Sequence, residues 1–340
     1  MRQRDGAGLH LRGHILLSPR FPARSRPEYP VPVSLPVAAD AGAMVAERSG
    51  APGDGAVRIL EERSALLDGR RLRYLIGGSG DPLVLCHGFL GSAENFETWF
   101  AALAQRRTLM IPDLPGCGAS PALSGVHSAD ALAEAIAPLL DELGIHRFDL
   151  GGLCLGASVA LALARRRPPA VGRLILHTPL LAPEVVRRRF HLQVAVMTAP
   201  GVFPAVHWLS RRRVVSDLYK RLLVEGPDVD RHAAEVNFVN QMRAHPRATR
   251  EWLRDGLRRH DMEFVAARTE PTLMIAAAAD RIADVHRLRR LAASCPQVQL
   301  AVVDDAGHGW TQQYVERQLA VLGAFLDGRP LPVFVDGVAA

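Results

Sequence analysis

The sequence predicts an α/β fold, a mostly parallel sheet with helices on both faces and a helical insertion, and three observations predict it. Short apolar runs of strand length alternate with helix-length amphipathic stretches, first up to residue 180 and again from about 267 to 330. Such alternation marks strand–helix–strand crossovers. The runs Pro82–Cys86 and Leu174–Leu176 are continuously apolar, as strands covered on both faces are. Between 181 and 266 the alternation stops and only helical stretches remain.

In chain order, residues 1–45 hold clustered prolines (Pro19, Pro22, Pro27, Pro30, Pro32, Pro36) and no sustained periodicity, the composition of a disordered tail. His14–Leu17 is too short for a secretory apolar region, which needs about 7 to 15 residues. A transit peptide, or a start at Met44, stays open. Val57–Leu60 and Arg71–Ile76, separated by Asp68-Gly69, read as a hairpin. Pro82–Cys86 is the next strand, and Phe96, Trp99, Phe100 and Leu103 give a helix from Glu94 to about Gln105. Thr108–Ile111 is a strand, and Ser128 caps a helix to about Leu143 that contains Pro138. Phe148–Leu150 leads into Gly151-Gly152-Leu153-Cys154-Leu155-Gly156, with a helix from Ala157 to Arg167 behind it. Leu174–Leu176 closes the first half. Several helical stretches, such as Val185–Ala195, Val214–Val224 and Ala233–Arg243, mark the insertion. Strands at Thr272–Ala276 and Gln299–Val303 and helices near Val285–Ser294 and Gln312–Leu326 complete the core. The domain organisation expected is a core of 46–180 and 267–330 with a helical unit of 181–266.

Composition narrows the function. A chain of 340 residues with 48% hydrophobic and 22% charged residues can bury one large core. No run approaches the roughly 18 apolar residues of a membrane span, and no membrane partner is expected. The net charge of +6 is uneven: residues 1–43 carry six Arg against three acids, and 181–266 carry fifteen basic against ten acidic groups. No basic-aromatic pattern or nucleic-acid module accompanies it, so no nucleic acid is expected. Cys86, Cys117, Cys154 and Cys295 are widely spaced and form no C-x-x-C pair, which suggests neither a disulfide scaffold nor a zinc site and fits a reducing, cytoplasmic compartment.

Chemistry centres on Cys154, which sits between Gly152 and Gly156 at a strand end. A thiol nucleophile needs a base, an acid to orient that base, and donors for the developing oxyanion. Asp280 follows one late strand and His308, in Ala306-Gly307-His308-Gly309, follows the last. All three fall where loops leave the carboxyl ends of strands, the usual location of sites in such sheets. Asp284, Asp304 and Asp305 also lie in these loops, the last two too near His308 along the chain to orient it.

With His87-Gly88-Phe89, Asp113-Leu114-Pro115-Gly116-Cys117-Gly118-Ala119-Ser120, the G-x-C-x-G turn at 152–156, Asp280-Arg281-Ile282 and Ala306-Gly307-His308 in this order, residues 57–328 resemble the capped α/β-hydrolases. The turn is similar to their nucleophile elbow, with cysteine where serine usually stands. The resemblance implies an eight-stranded-type sheet, a cap formed by 181–266, and backbone N–H groups of Phe89 and Leu155 as oxyanion donors. It implies a hydrolase or acyltransferase in which Cys154, His308 and Asp280 form a catalytic triad, acting on a small-molecule ester, lactone or thioester, including a coenzyme A or carrier-protein thioester. No cofactor or metal is called for. A second function stays open, a non-catalytic ligand-binding or interaction protein on the same fold. His87 and Asp113 are expected to hold loops rather than react, and Cys86 and Cys117 to pack. The runs Arg187–Arg189 and Arg211–Arg213 would either attract an anionic substrate or form solvated helix faces. Phe190, Phe203, Trp208, Phe238 and Trp252 are candidates for an acyl pocket or for packing.

Overall fold

The computed structural model describes residues 60–224, 231–304, 306–308, 312–332, 334–335 and 338–339. The tail expected over 1–45 lies outside the described residues, as do Val57–Ile59. Among the described residues the first strand is β1 (Glu61–Leu67), which pairs antiparallel with β2 (Arg70–Gly78). Register is set from the turn: Leu67 faces Arg70 across Asp68-Gly69, both at positive φ (48° and 74°), the geometry that a two-residue Asp-Gly hairpin requires.

Then follow β3 (Asp81–Cys86), a 3₁₀ turn at Ala93–Phe96 continuing into α1 (Glu97–Leu103), and β4 (Arg107–Pro112). Next, α2 (Ala129–Glu142) starts at Ser128, whose hydroxyl accepts from the Ala131 N–H at 3.2 Å, and carries Pro138 within it. A single residue, Cys154, separates β5 (Phe148–Leu153) from α3 (Leu155–Arg166), and β6 (Val171–His177) follows.

The segment between β6 and the next strand is helical: a 3₁₀ turn at Pro183–Val185, α4 (Arg188–Met197), α5 (Phe203–Ser210), α6 (Arg213–Tyr219) with a π turn at Lys220–Val224, α7 (Arg231–Arg243), α8 (Pro246–Gly256) and α9 (Met262–Ala267). Three of these, α5, α8 and α9, have no counterpart in the sequence reading. α5 and α8 each carry a proline in their first turn, where it is tolerated, and α9 is only six residues long. The core resumes with β7 (Thr272–Ala277), α10 (Val285–Ser294), β8 (Val298–Val303) and α11 (Gln312–Leu326), and a small hairpin of β9 (Phe334–Val335) and β10 (Val338–Ala339) follows.

Eight strands form one sheet in the order β1-β2-β4-β3-β5-β6-β7-β8, antiparallel at β1–β2 and β2–β4 and parallel elsewhere. One apolar layer joins the sheet to α2, α3 and α10, the other to α1 and α11. Chain direction across the sheet reverses at β3, whose neighbours are β4 and β5. The loops leaving β3 and β5 therefore diverge to opposite faces and leave a crevice between them.

Candidate active site

At the end of β5 the chain turns abruptly, and Cys154 takes φ 54° and ψ −117°, which side chains rarely adopt. The turn is possible because the residues two before and two after Cys154 lack side chains. A Cβ on Gly152 would collide with the backbone of Gly156 and Ala157, and one on Gly156 with the carbonyl oxygens of Cys86 and His87. Gly156 thus lets α3 lie directly against the loop after β3. The Cys154 N–H donates to the His177 carbonyl at 2.9 Å, tying the turn to the end of β6. Leu90 (φ 55°) and Thr178 (φ 42°), just beyond β3 and β6, share the strained backbone. Three adjacent strands thus end in non-glycine residues of positive φ around one crevice, where such strain commonly marks function.

Asp280 follows β7 and is buried; its Oδ1 accepts from the N–H groups of Ile282 (2.7 Å) and Ala283 (2.9 Å). Its Oδ2 lies 2.9 Å from His308 Nδ1. A carboxylate only accepts, so Nδ1 carries the proton and Nε2 is left for Cys154, with whose side chain His308 also hydrogen-bonds. Burial works against a charged His308, but the Asp280 carboxylate and Cys154 outweigh it and hold the imidazole well above its ordinary range. In Asp280, burial would raise the carboxyl, yet the charge and hydrogen bond of His308 and the two N–H donors hold it below the usual range. The structure therefore brings together Cys154, His308 and Asp280, and Phe89 and Leu155 line the same cavity as Cys154 and His308.

Residues expected to hold loops do so. His87 is buried, its Nδ1 2.9 Å from the Gly88 carbonyl and its Nε2 accepting from the Leu114 N–H at 2.9 Å; burial pushes it below the ordinary imidazole range. Asp113 accepts from the N–H groups of Ala93 (2.8 Å) and Ala119 (2.9 Å) and faces Arg73 Nη1 at 3.1 Å. Arg73 also pairs with Glu94 and Glu62. Burial opposes a charged Glu94, but hydrogen bonds from Arg73 and Ser92 and the Arg73 charge bring it to about 2. Arg73 and His177 were not legible as site-supporting residues. His177 is packed edge-on against Trp99 at 6.1 Å, and burial, with the charge of His308, pushes it down to about 3.

Above the crevice lies a cavity of about 520 Å³ lined on its far side by the insertion, including Phe190, Val194, Met197 and Phe203. Polar groups on this wall are largely satisfied by one another: Gln193 donates to the Tyr219 hydroxyl, and Gln241 donates to the Ser210 carbonyl at 2.6 Å. Of the aromatic candidates, Phe190 and Phe203 line the cavity. Trp252 is packed edge-on against His87 at 6.3 Å, Trp208 is exposed beneath Arg212, and Phe238 lies under Arg213. Neither arginine run lines the cavity among the described residues. Arg187 holds the acid loop instead: its Nε donates to the Asp280 carbonyl at 3.0 Å, its N–H to the Ile282 carbonyl at 2.8 Å, and Val186 bridges Ala283. Among the described residues no group of His, Cys, Asp and Glu is arranged to hold a metal, and no helix is long and apolar enough to cross a membrane.

Comparison with known proteins agrees with this architecture. Residues 81–309 match the family model described as alpha/beta hydrolase fold. The chain is 31% identical over 274 residues to 2-hydroxymuconate semialdehyde hydrolase of Pseudomonas putida, covering 78% of this chain and 93% of the relative. It is 30% identical over 275 residues to the dihydrolipoyllysine-residue acetyltransferase component of the acetoin cleaving system of the same species, covering 78% and 69%. Among solved structures, a thermophilic esterase from Thermogutta terrifontis superposes with a TM-score of 0.63 at 22% identity, covering 79% of this chain and 98% of the esterase. A strained turn after β5, a histidine after β8 and a family match spanning both lead to one conclusion: the chain belongs to the alpha/beta hydrolase family and is an enzyme of that family.

Proposed function

We propose that this enzyme cleaves or transfers acyl groups from esters or thioesters through an acyl-cysteine on Cys154. The observation that carries this reading is the His308 Nδ1–Asp280 Oδ2 hydrogen bond of 2.9 Å, on a histidine that also hydrogen-bonds with Cys154. His308 takes the thiol proton and Asp280 fixes its tautomer and favours the imidazolium. The thiolate attacks the carbonyl carbon, forming a C–S bond as the carbonyl electrons move to oxygen. The N–H groups of Phe89 and Leu155 hold that oxyanion; Leu155 opens α3, where the first N–H groups have no intrahelical acceptor. As the oxyanion collapses, the bond to the leaving alkoxide or thiolate breaks and His308 protonates it. Water or another acceptor then gives its proton to His308, attacks the acyl-cysteine and releases Cys154.

Residues 181–266 act as the cap, and its apolar wall of Phe190, Val194 and Met197 suits an apolar acyl chain. A thiol suits a thioester donor, since attack exchanges one thioester for another of similar energy. The names of the two relatives, a semialdehyde hydrolase and an acetyltransferase component, span hydrolysis and transfer. Purified protein incubated with p-nitrophenyl esters and with acyl-thioesters should gain the acyl mass at Cys154 by intact mass spectrometry, and Cys154→Ala should not. Absence of any Cys154-dependent adduct with either donor class overturns the proposal.

A further inference from the structure

Large exposed apolar side chains are not scattered over this molecule. Ten of the thirteen among the described residues fall between 188 and 223: Leu192 and Val196 on α4, Val202, Trp208 and Leu209 at and on α5, Val214, Val215 and Leu218 on α6, and Leu222 and Leu223 on the π turn. Single exposed apolar residues are ordinary, but such a concentration marks an interaction surface. The inward faces of the same helices line the cavity. Leu192 and Val196 lie on the side of α4 away from Phe190, Val194 and Met197, one helical turn apart.

The surface and the cavity are continuous. Leu209, Val215 and Leu223 line the cavity and are nevertheless 42%, 40% and 49% exposed, so they form an apolar rim through which the cavity meets the patch. Charge on this segment is almost all of one sign. Residues 188–223 hold six arginines and Lys220 against one acid, Asp217, and acids return in the sequence only at Glu225. Of the six arginines, only Arg213 forms ion pairs among the described residues, with Asp217 and Glu235. Arg189 and Arg211 bond backbone carbonyls, and Arg212 lies 4.8 Å above the Trp208 ring, contacts that leave their charges uncompensated.

From these features we infer that the outer face of α4, α5 and α6 docks on an anionic lipid surface, so that apolar substrate reaches the cavity from the lipid phase across the Leu209–Val215–Leu223 rim. Apolar side chains enter the headgroup boundary while flanking arginines meet anionic headgroups, the pattern of an interfacial helical surface. Docking of this kind needs no membrane-spanning helix. An acidic carrier protein would meet the same charges, but its polar arm would have to cross a rim of three aliphatic side chains.

The full chain should sediment with phosphatidylglycerol vesicles and less with phosphatidylcholine vesicles. The double variant Val214→Glu/Leu218→Glu, at side chains 79% and 56% exposed and outside the cavity lining, should bind the anionic vesicles about ten-fold more weakly or worse. Leu192→Glu/Val196→Glu repeats the test on a different helix, and an unchanged thermal midpoint shows that each variant folds. Cys154→Ala should bind as the unmodified chain does, which separates docking from the proposed chemistry. Docking is overturned if the unmodified chain binds neither vesicle, if both double variants bind as it does, or if light scattering shows a dimer that the variants dissociate.

Discussion

The two walls of the cavity are built on opposite principles. The wall formed by the sheet is held by buried charge and by backbone: Arg73, Asp113 and Glu94 lock the loops after β3 and β4, His87 uses both ring nitrogens on neighbouring backbone, and Gly156 brings α3 against the carbonyls of Cys86 and His87. The wall formed by the insertion is held by side-chain pairs such as Gln193–Tyr219 and Ser216–Gln241 and by aliphatic packing, and its outer face leaves apolar groups in water. Groups that must meet to within tenths of an ångström sit on the first wall; the second only encloses. Fixed dipoles and buried ion pairs tolerate little displacement, whereas apolar contact is non-directional and can re-form around different occupants.

The largest effect that would sharpen this contrast belongs to the reactive wall. Asp280→Asn should lower acyl turnover roughly 10²- to 10⁴-fold, because the amide no longer fixes the donor tautomer or favours the imidazolium. It should also move the pH profile. With Asp280 present, His308 is raised, so the protonated imidazole and the stability it lends persist below the unfolded value of about 6.5 and are lost only as pH rises through the raised folded value. Removing the carboxylate should shift the alkaline limb of the rate to lower pH, and an unmoved limb would contradict the pairing.

Next in size is the buried charge behind that wall. Asp113→Ala leaves the N–H groups of Ala93 and Ala119 without their acceptor and takes one of three carboxylates from Arg73, which keeps Glu62 and Glu94, and should cost about 2 to 5 kcal/mol in urea denaturation. A cost near zero would mean that the loop is held by packing alone. The smallest effect is expected across the two walls, where Asn95 Nδ2 donates to Asn237 Oδ1 at 2.8 Å. Asn237→Ala should cost about 0.5 to 1.5 kcal/mol by the same measurement, since the site is only part-buried. A loss as large as that of Asp113→Ala would show that the insertion is locked to the core as firmly as the core is to itself.

Legibility in the sequence followed the same division. Strand and helix alternation and the short motifs around Cys154, Asp280 and His308 were readable because tight turns and strand ends demand particular residues locally. The register of the opening hairpin is local in the same way, set by the Asp68-Gly69 turn that brings Leu67 opposite Arg70. Arg73 could not be recognised because its partners, Glu62, Glu94 and Asp113, are brought to it only by sheet pairing and loop closure. His177 stands one residue beyond the apolar run Leu174–Leu176, and its contact with Trp99 depends on where α1 packs. Within the insertion, the short helices α5 and α9 take their stability from tertiary contact, so helical spacing alone did not announce them. The aromatic residues there could not be sorted for the same reason: Phe190 and Trp252 differ in which side of a helix meets the core, not in kind.

The contacts of Arg187 bear on how a molecule gets in and out. That residue joins the start of the insertion to the acid loop by two hydrogen bonds, and Val186 adds a bridge to Ala283. One end of the enclosure is thereby tied to the backbone of the loop that carries Asp280, whose carboxylate bonds His308. A swing at that end would pull on the Asp280 loop, so under the proposed chemistry this end of the enclosure has to stay in place while a molecule enters or leaves.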